Sequence, residues 1–183
     1  MNNKVAVREC HEYDIDKIYN IVSDIYRICE GPAVEGRKVL LKPNILTDDD
    51  PSRCISTHPA VVEAVIRFLQ SKNARVYVGD SPAVHLRNFR GIKSGIAGVC
   101  ARTGAEWVDF TKETSEIKLR RGKIRIASIA MEVDLVISLP KFKNHELVYF
   151  TGAVKNTLGL VPGLNKAKQH AVYQDRDSFS LFL

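Results

Sequence analysis

A chain of 183 residues with 45% hydrophobic and 26% charged residues can bury one substantial core, and its composition excludes an intrinsically disordered segment. Its formal charge of +6 excludes an acidic solvating tail and points to an anionic partner, whether phosphate, carboxylate or nucleic acid. No stretch approaches roughly 18 uncharged apolar residues and the opening MNNKVAVREC has no apolar core, so neither a membrane span nor a signal peptide is expected and a cytoplasmic location follows.

In chain order, Lys4–Arg8 reads as a short strand. Asp14 then caps a helix running to about Glu30, with Ile15, Ile18, Ile21, Val22, Ile25 and Ile28 at three- and four-residue spacing. Arg37–Leu41 is the next strand and finishes at Lys42-Pro43-Asn44. A polar loop from Thr47 to Thr57 follows, with Asp48, Asp49 and Asp50 in succession. Its length reads as a lid or a surface excursion; adjacent side chains in a loop diverge, so the three carboxylates do not make a metal site. Thr57-His58-Pro59 opens a second helix with Val61, Val62, Val65, Ile66, Phe68 and Leu69 on its buried face. Ala74–Val78 is a strand ending at Gly79-Asp80-Ser81.

The stretch from Ala83 to Lys93 is irregular. A helix from about Ile96 to Arg102 ends at Gly104, and Glu106–Phe110 forms another strand. Ile117–Leu119 and Ile124–Ile126 flank Arg121-Gly122 as a β-hairpin insertion near 115–127. The basic run through it, Lys118–Arg125, reads either as an anion-seeking patch or as a solvated hairpin. Val133–Leu139 is the last clear strand, Thr151–Leu158 a short helix capped by Thr151, and Asp175–Leu183 the start of a helix. Strands alternating with helices predict an α/β fold, a largely parallel sheet flanked by helices, in a single domain that forms the N-terminal part of a longer protein.

The four cysteines, Cys10, Cys29, Cys54 and Cys100, form no C-x-x-C pair, so the chain carries neither a zinc knuckle nor a cluster motif of its own. They read as reduced and mostly buried, except Cys54 in the polar loop.

The chemistry concentrates between Leu139 and His170, which holds five lysines, two histidines and three asparagines against one acid, Glu146. Three strand ends carry polar groups: Lys42-Pro43-Asn44, Gly79-Asp80-Ser81, and Lys141 through His145. In a parallel sheet they emerge along one carboxyl edge, where open α/β sheets bind ligands. Lysine supplies a point charge for an anion, and a buried lysine can act as a base or form a Schiff base. Lys141 and Lys143 alternate on extended chain, so at most one of them need face a ligand. Asp80 either orients a lysine or a substrate hydroxyl, or caps the following turn. His58, His145 and His170 are candidate proton carriers, and no H-x-x-x-H or H-E-x-x-H spacing supports a metal. The phosphate loop, the dinucleotide fingerprint and the hydrolase elbow are all missing from the sequence.

The succession VLLKPNIL, THPAVVEAVIRFL, VYVGDSP, DLVISLPKFKNH and TGAVKNTLGLVPG, with lysines and His170 after it, resembles the family called domain of unknown function 362. The family's shared positions fall on Lys42, Asn44, His58, Asp80, Lys141, Lys143, His145, Lys155, Asn156 and His170, with Asn144 departing from its usual threonine. The resemblance implies that a 4Fe–4S cluster, carried by many members after this domain, would reside in a missing C-terminal region or a ferredoxin-like partner, since this chain has no cluster cysteines.

Two readings follow. In the first, the chain is an enzyme or the ligand-binding half of one, acting on a small anionic substrate and linked to redox through an iron–sulfur partner. Lys141, His145, His58 and Asp80 would be its catalytic groups, and Lys42, Asn44, Ser81, Lys143, Lys155, Asn156 and His170 its binding groups. In the second it is a non-catalytic nucleic-acid or protein binding module, which requires aromatics such as Phe142, Tyr149 and Phe150 to be exposed beside the basic segment.

Overall fold

The computed structural model describes residues 4–81, 91–119, 122–145 and 148–183, without the side chains of Leu164 and His170. Helix α1 (Ile15–Ile28) starts where Asp14 accepts a hydrogen bond from the Lys17 amide, as its N-cap position requires. Strand β1 (Lys38–Pro43) follows, then α2 (Pro59–Ser71), β2 (Arg75–Val78), α3 (Ile96–Thr103) and β3 (Glu106–Trp107). Helix α2 begins with His58 Nδ1 accepting from the Ala60 amide and with Pro59 in the first turn. Helix α3 ends at Gly104 in the left-handed region, φ 73°, a C-terminal cap that glycine adopts without a Cβ clash.

An antiparallel hairpin, β4 (Thr114–Leu119) and β5 (Gly122–Ala127), leads into the short α4 (Ile129–Glu132) and then β6 (Leu135–Leu139). The main sheet has the order β3-β2-β1-β6, and every neighbouring pair is parallel. The chain therefore lays two strands, β2 and β3, to one side of β1 and returns to the other side with β6. That reversal makes the β1–β6 boundary the topological switch point, where open parallel sheets have a crevice at their carboxyl ends.

Side-chain alternation sorts the two faces. Val39 and Leu41 of β1 pack with Val76 and Val78 of β2 against α2 and α3, with Tyr19, Val22 and Tyr26 of α1 adding to that layer. Leu40 and Tyr77 point the other way, onto Phe110 and Ala127. Ile124 and Ile126 of the hairpin join Leu158, Val161, Tyr173 and Phe179 in a further apolar cluster. The last of these lies on α7 (Arg176–Phe182), which starts at the Asp175 cap.

Several expected elements differ. Residues Lys4–Arg8 form no strand: Val5 and Val7 are exposed, and the segment is held to α1 by Lys4–Glu30 and Arg8–Asp24 ion pairs. β3 stops at Trp107 because Asp109 turns the chain, accepting from the Thr111 amide at 2.9 Å. A second antiparallel pair, β7 (Lys143–His145) and β8 (Tyr149–Thr151), follows β6. Thr151 consequently ends a strand rather than capping a helix, and α5 (Ala153–Asn156) begins after Gly152 before a 3-10 turn over Thr157–Leu160. A further helix, α6 (Leu164–Val172), precedes α7. Arg121 and most of Ala83–Lys93 lie outside the described residues. Of the cysteines only Cys100 is buried, while Cys10 and Cys54 are exposed.

The three loop aspartates separate. Asp48 accepts from the Ile92 and Ser94 amides, Asp49 pairs with Arg53 and Thr47, and Asp50 caps a short 3-10 turn at Ser52. At the loop's end Thr57 is buried, and its hydroxyl takes the Asn44 amide at 2.8 Å and donates to the Leu139 carbonyl at 2.6 Å. One side chain thus joins the ends of β1 and β6. Thr57→Val leaves both backbone groups without a partner and is expected to cost about 1–3 kcal/mol in urea unfolding. The exposed Thr157→Val should stay within about 0.5 kcal/mol of wild type.

Candidate functional site

At the carboxyl edge of the sheet, Lys42 ends β1 on the same face as Leu40, and its side chain is 1% exposed. Its ammonium lies 2.6 Å from Asp80 Oδ1, 2.7 Å from the Pro43 carbonyl and 3.1 Å from Asn156 Oδ1. An ammonium has three N–H donors, so every one is engaged within the protein. Asp80 is equally occupied: Oδ1 also accepts from the Ser81 amide at 2.8 Å, and Oδ2 from the Ile45 amide at 2.6 Å.

Asn156 completes the network from α5. Its Nδ2 donates to the Lys42 carbonyl and to Ser138 Oγ, both at 2.9 Å. Its Oδ1 accepts from Lys42 and, at 3.4 Å, from Asn44 Nδ2. The carbonyl and ammonium partners fix which end of the Asn156 amide is oxygen. Burial lowers the Lys42 ammonium from the ordinary lysine range, with the Asp80 charge opposing the fall.

Gly159 closes over this pair. A Cβ there would lie 2.1 Å from Asp80 Oδ1 and 2.4 Å from Lys42 Nζ, so only glycine lets the backbone approach. Its carbonyl accepts from the Ser81 amide at 3.2 Å, which ties the 3-10 turn to the end of β2.

Above the network is a cavity of about 350 Å³, lined by Lys42, Asn44, Asp80, Ser81, His145, Lys155, Asn156 and Lys166, with Leu46 and Leu158 among the apolar walls. Lys155 is partly buried and, among the described residues, has no hydrogen bond or ion pair. Burial lowers its ammonium, and the charges of Lys143 and Lys42 lower it further. Lys166 donates to the Ser81 carbonyl from the first turn of α6. Burial pushes it down to about 8, with Asp80 resisting and Lys42 and Lys155 adding to the fall. His145 sits on the wall with Nδ1 accepting from the Val148 amide at 3.4 Å.

Seven of the expected site residues therefore line one cavity: Lys42, Asn44, Asp80, Ser81, His145, Lys155 and Asn156. Lys143 lies beside it, donating to the Ile55 carbonyl; burial lowers its ammonium from the ordinary lysine range, with Asp80 opposing and Lys141 adding to the fall. Lys141 and His58 lie apart from the lining. The His58 ring stacks on Tyr13 at 3.6 Å between centroids, and Lys141 reaches the Tyr13 hydroxyl at 3.3 Å. Burial, then the Lys141 charge, lowers His58 below the usual histidine range. His170 is carried by α6, and its side chain lies outside what the structure describes.

Lys166 and Gly159 are the site residues that the reading of strand ends did not single out. Leu164, Ala167 and Ala171 stand at i, i+3 and i+7, but Ala167 and Ala171 are exposed, so the spacing is too weak an apolar stripe to point to α6 and Lys166.

A parallel α/β fold with a lysine-lined cavity at the switch point defines the class of protein. The chain belongs to the family described as domain of unknown function DUF362, which matches residues 39–182. It is also similar to a thylakoid-associated protein of Synechocystis sp., with 34% identity over 145 residues, covering 74% of this chain. The chain spans 42% of the length of that relative. No solved structure matches the chain. Among the described residues, no helix is long and apolar enough to cross a membrane.

Breaking one half of the buried pair separates its effects. Lys42→Met leaves the Asp80 carboxylate without its cation and is expected to cost about 3–5 kcal/mol in urea unfolding. Combined with Asp80→Leu, the loss should fall well short of the sum of the single losses. Gly159→Ala should cost about 1–3 kcal/mol or more by overpacking the same pair.

Proposed function

We propose that the cavity binds a small molecule bearing a phosphate or carboxylate group, and that the chain is the ligand-binding part of an enzyme acting on it. One observation carries the reading: the lining holds three lysines and a single carboxylate, and that carboxylate is already neutralised by Lys42. The charge left over sits on Lys155 and Lys166. An unbalanced positive pocket at the carboxyl edge of a parallel sheet is suited to an anionic guest. The volume lies at the lower end of the roughly 300–1,000 Å³ of small-molecule sites. In this reading Lys155 and Lys166 face the anion, His145 carries protons, and Lys42 with Asp80 and Asn156 holds the floor of the site.

Phosphate, glycerol phosphate and citrate provide a direct test by thermal shift. At least one should raise the Tm of the wild-type chain. Lys155→Ala should weaken that ligand about 10- to 100-fold, the worth of one charge-assisted contact. Lys141→Ala, which sits beside Tyr13 instead, should leave it unchanged. No stabilising anion, or equal loss in both variants, would remove the reading. The sign of the pH dependence follows from Lys166: it is charged below about 8 and neutral above. Anion affinity should therefore be highest below pH 8 and fall as pH rises through it.

A second reading, a nucleic-acid binding module, is favoured by the exposure of Phe142 at 77% and Phe150 at 53%, with ring centroids 5.4 Å apart. Exposed aromatics beside lysines are the elements on which single strands stack. Single-stranded RNA in a gel shift decides it. Binding that weakens steeply with salt and is lost in Phe142→Ala/Phe150→Ala supports the module.

A further inference from the structure

We propose that His58 and Lys141 form a second binding site, for a planar aromatic carboxylate, and that the Tyr13 side chain occupies this site until such a ligand displaces it. Neither His58 nor Lys141 lines the cavity that holds Lys155 and Lys166, so the inference stands or falls independently of the anion reading.

Tyr13 is seated as a ligand would be. Its ring lies flat on the His58 imidazole, with centroids 3.6 Å apart and planes 8° from parallel. Its hydroxyl oxygen accepts from the Lys141 ammonium at 3.3 Å. Both host groups are positioned by the sheet edge rather than by Tyr13. His58 caps α2, its Nδ1 accepting from the Ala60 amide at 3.2 Å, which fixes the ring. Thr57, one residue earlier, donates to the carbonyl of Leu139, two residues before Lys141. That bond pins the two loops side by side, and the Lys141 charge reaches the imidazole. Lys141 has no other hydrogen bond or ion pair among the described residues.

The segment that brings Tyr13 is loosely attached. Residues 4–13 form neither helix nor strand, and among the described residues no backbone hydrogen bond joins them to the rest of the chain. Their ties are the surface ion pairs Lys4–Glu30, Arg8–Asp24 and Lys17–Glu12, a kind of contact that adds little stability. A cavity of about 310 Å³ separates Cys10, His11, Glu12 and Tyr13 from Ile18 and Ile21 of α1 and Val61 of α2, so the segment forgoes close packing there. Tyr13 itself is 48% exposed. Helix α1 has its own start at the Asp14 cap, and Asp14 is where the segment can swing without unwinding the helix.

The chemistry of the two hosts names the ligand class. A flat imidazole face favours a flat aromatic ring. The ammonium favours an ionised oxygen, and a phenol hydroxyl offers it an oxygen without the charge. A carboxylate carried on the ring, where Tyr13 carries its hydroxyl, keeps the stack and adds the charge pairing that Tyr13 lacks. A simple anion would meet only Lys141, and an uncharged ring only His58. The ligand must compete with Tyr13, so its apparent affinity is reduced by the fraction of chains in which Tyr13 is seated.

Fluorescence titration of the full chain with 2-naphthoate tests this. Tyr13→Ala should bind the probe about tenfold more tightly than wild type, because the internal competitor is gone. In the Tyr13→Ala background, Lys141→Gln should weaken binding about tenfold, the worth of one charge-assisted contact. His58→Asn, which keeps a capping oxygen for α2, should weaken it as well by removing the ring face. Cyclohexanecarboxylate, which has the charge but no flat ring, should displace the probe poorly. Unchanged or weaker binding in Tyr13→Ala makes Tyr13 a wall of the site rather than its occupant and overturns the proposal. Displacement by cyclohexanecarboxylate as effective as by benzoate, or no binding of 2-naphthoate to any variant, overturns it too. Binding lost in Lys155→Ala but kept in Lys141→Gln puts the probe in the cavity: the second site then fails while the anion reading stands.

Discussion

Lys42 and Asp80 meet at 2.6 Å in a place where neither is more than 3% exposed, and the architecture around the cavity depends on that contact. A buried pair is weak evidence of added stability, because removing two charges from water offsets much of their attraction. What it imposes is geometry. Lys42 comes from the end of β1 and Asp80 from the end of β2. Asn156 brings α5 to both Lys42 and Ser138 of β6, and Gly159 lays the 3-10 turn against the pair. Three strand ends and the turn after α5 are held by one set of hydrogen bonds in which each charged atom has its partner.

That self-sufficiency gives the cavity its character. Asp80 is the single carboxylate of a lining that holds three lysines, and it lies against Lys42, so the lining keeps a net positive charge. The sheet provides the floor, while α5 and α6, built from the segment after β8, provide the cations facing the hollow. The β7–β8 pair serves as a sorting device. Alternation along it turns Lys143 and His145 to one side and exposes Phe142 and Phe150 on the other. Lys141 belongs with Tyr13 and His58, so two groups of polar residues that are close in sequence terms end up on separate surfaces.

Much of the fold is legible from local pattern. The isoleucine spacing after Asp14 and the Thr57-His58-Pro59 start mark α1 and α2, because capping and helical periodicity are local. The runs before Lys42 and before Asp80 mark β1 and β2 as buried parallel strands. The Lys4–Arg8 strand fails for the opposite reason: its alternation is strand-like, but it pairs with no strand among the described residues and Val5 and Val7 are exposed. Strands β7 and β8 escape notice because they are made of lysine, asparagine, histidine and aromatics, with no apolar face for the pattern to reveal. In the site, Lys42, Asp80, His145, Lys155 and Asn156 are all recognisable as polar groups at element ends. Lys166 is not, since its helix is short and largely polar.

The sequence by itself determined the class of fold, the succession of the parallel strands β1, β2, β3 and β6 with helices α1 to α3 among them, and the positive sign of the region from Leu139 to His170, because these follow from spacing and composition. Only the tertiary structure decided which lysine faces the cavity, since that depends on which oxygens surround each ammonium. Lys42 is saturated by groups from β2 and α5 that are 38 and 114 residues away along the chain. Lys155, one position from Asn156, is left to face the hollow, and no local pattern encodes so distant a pairing.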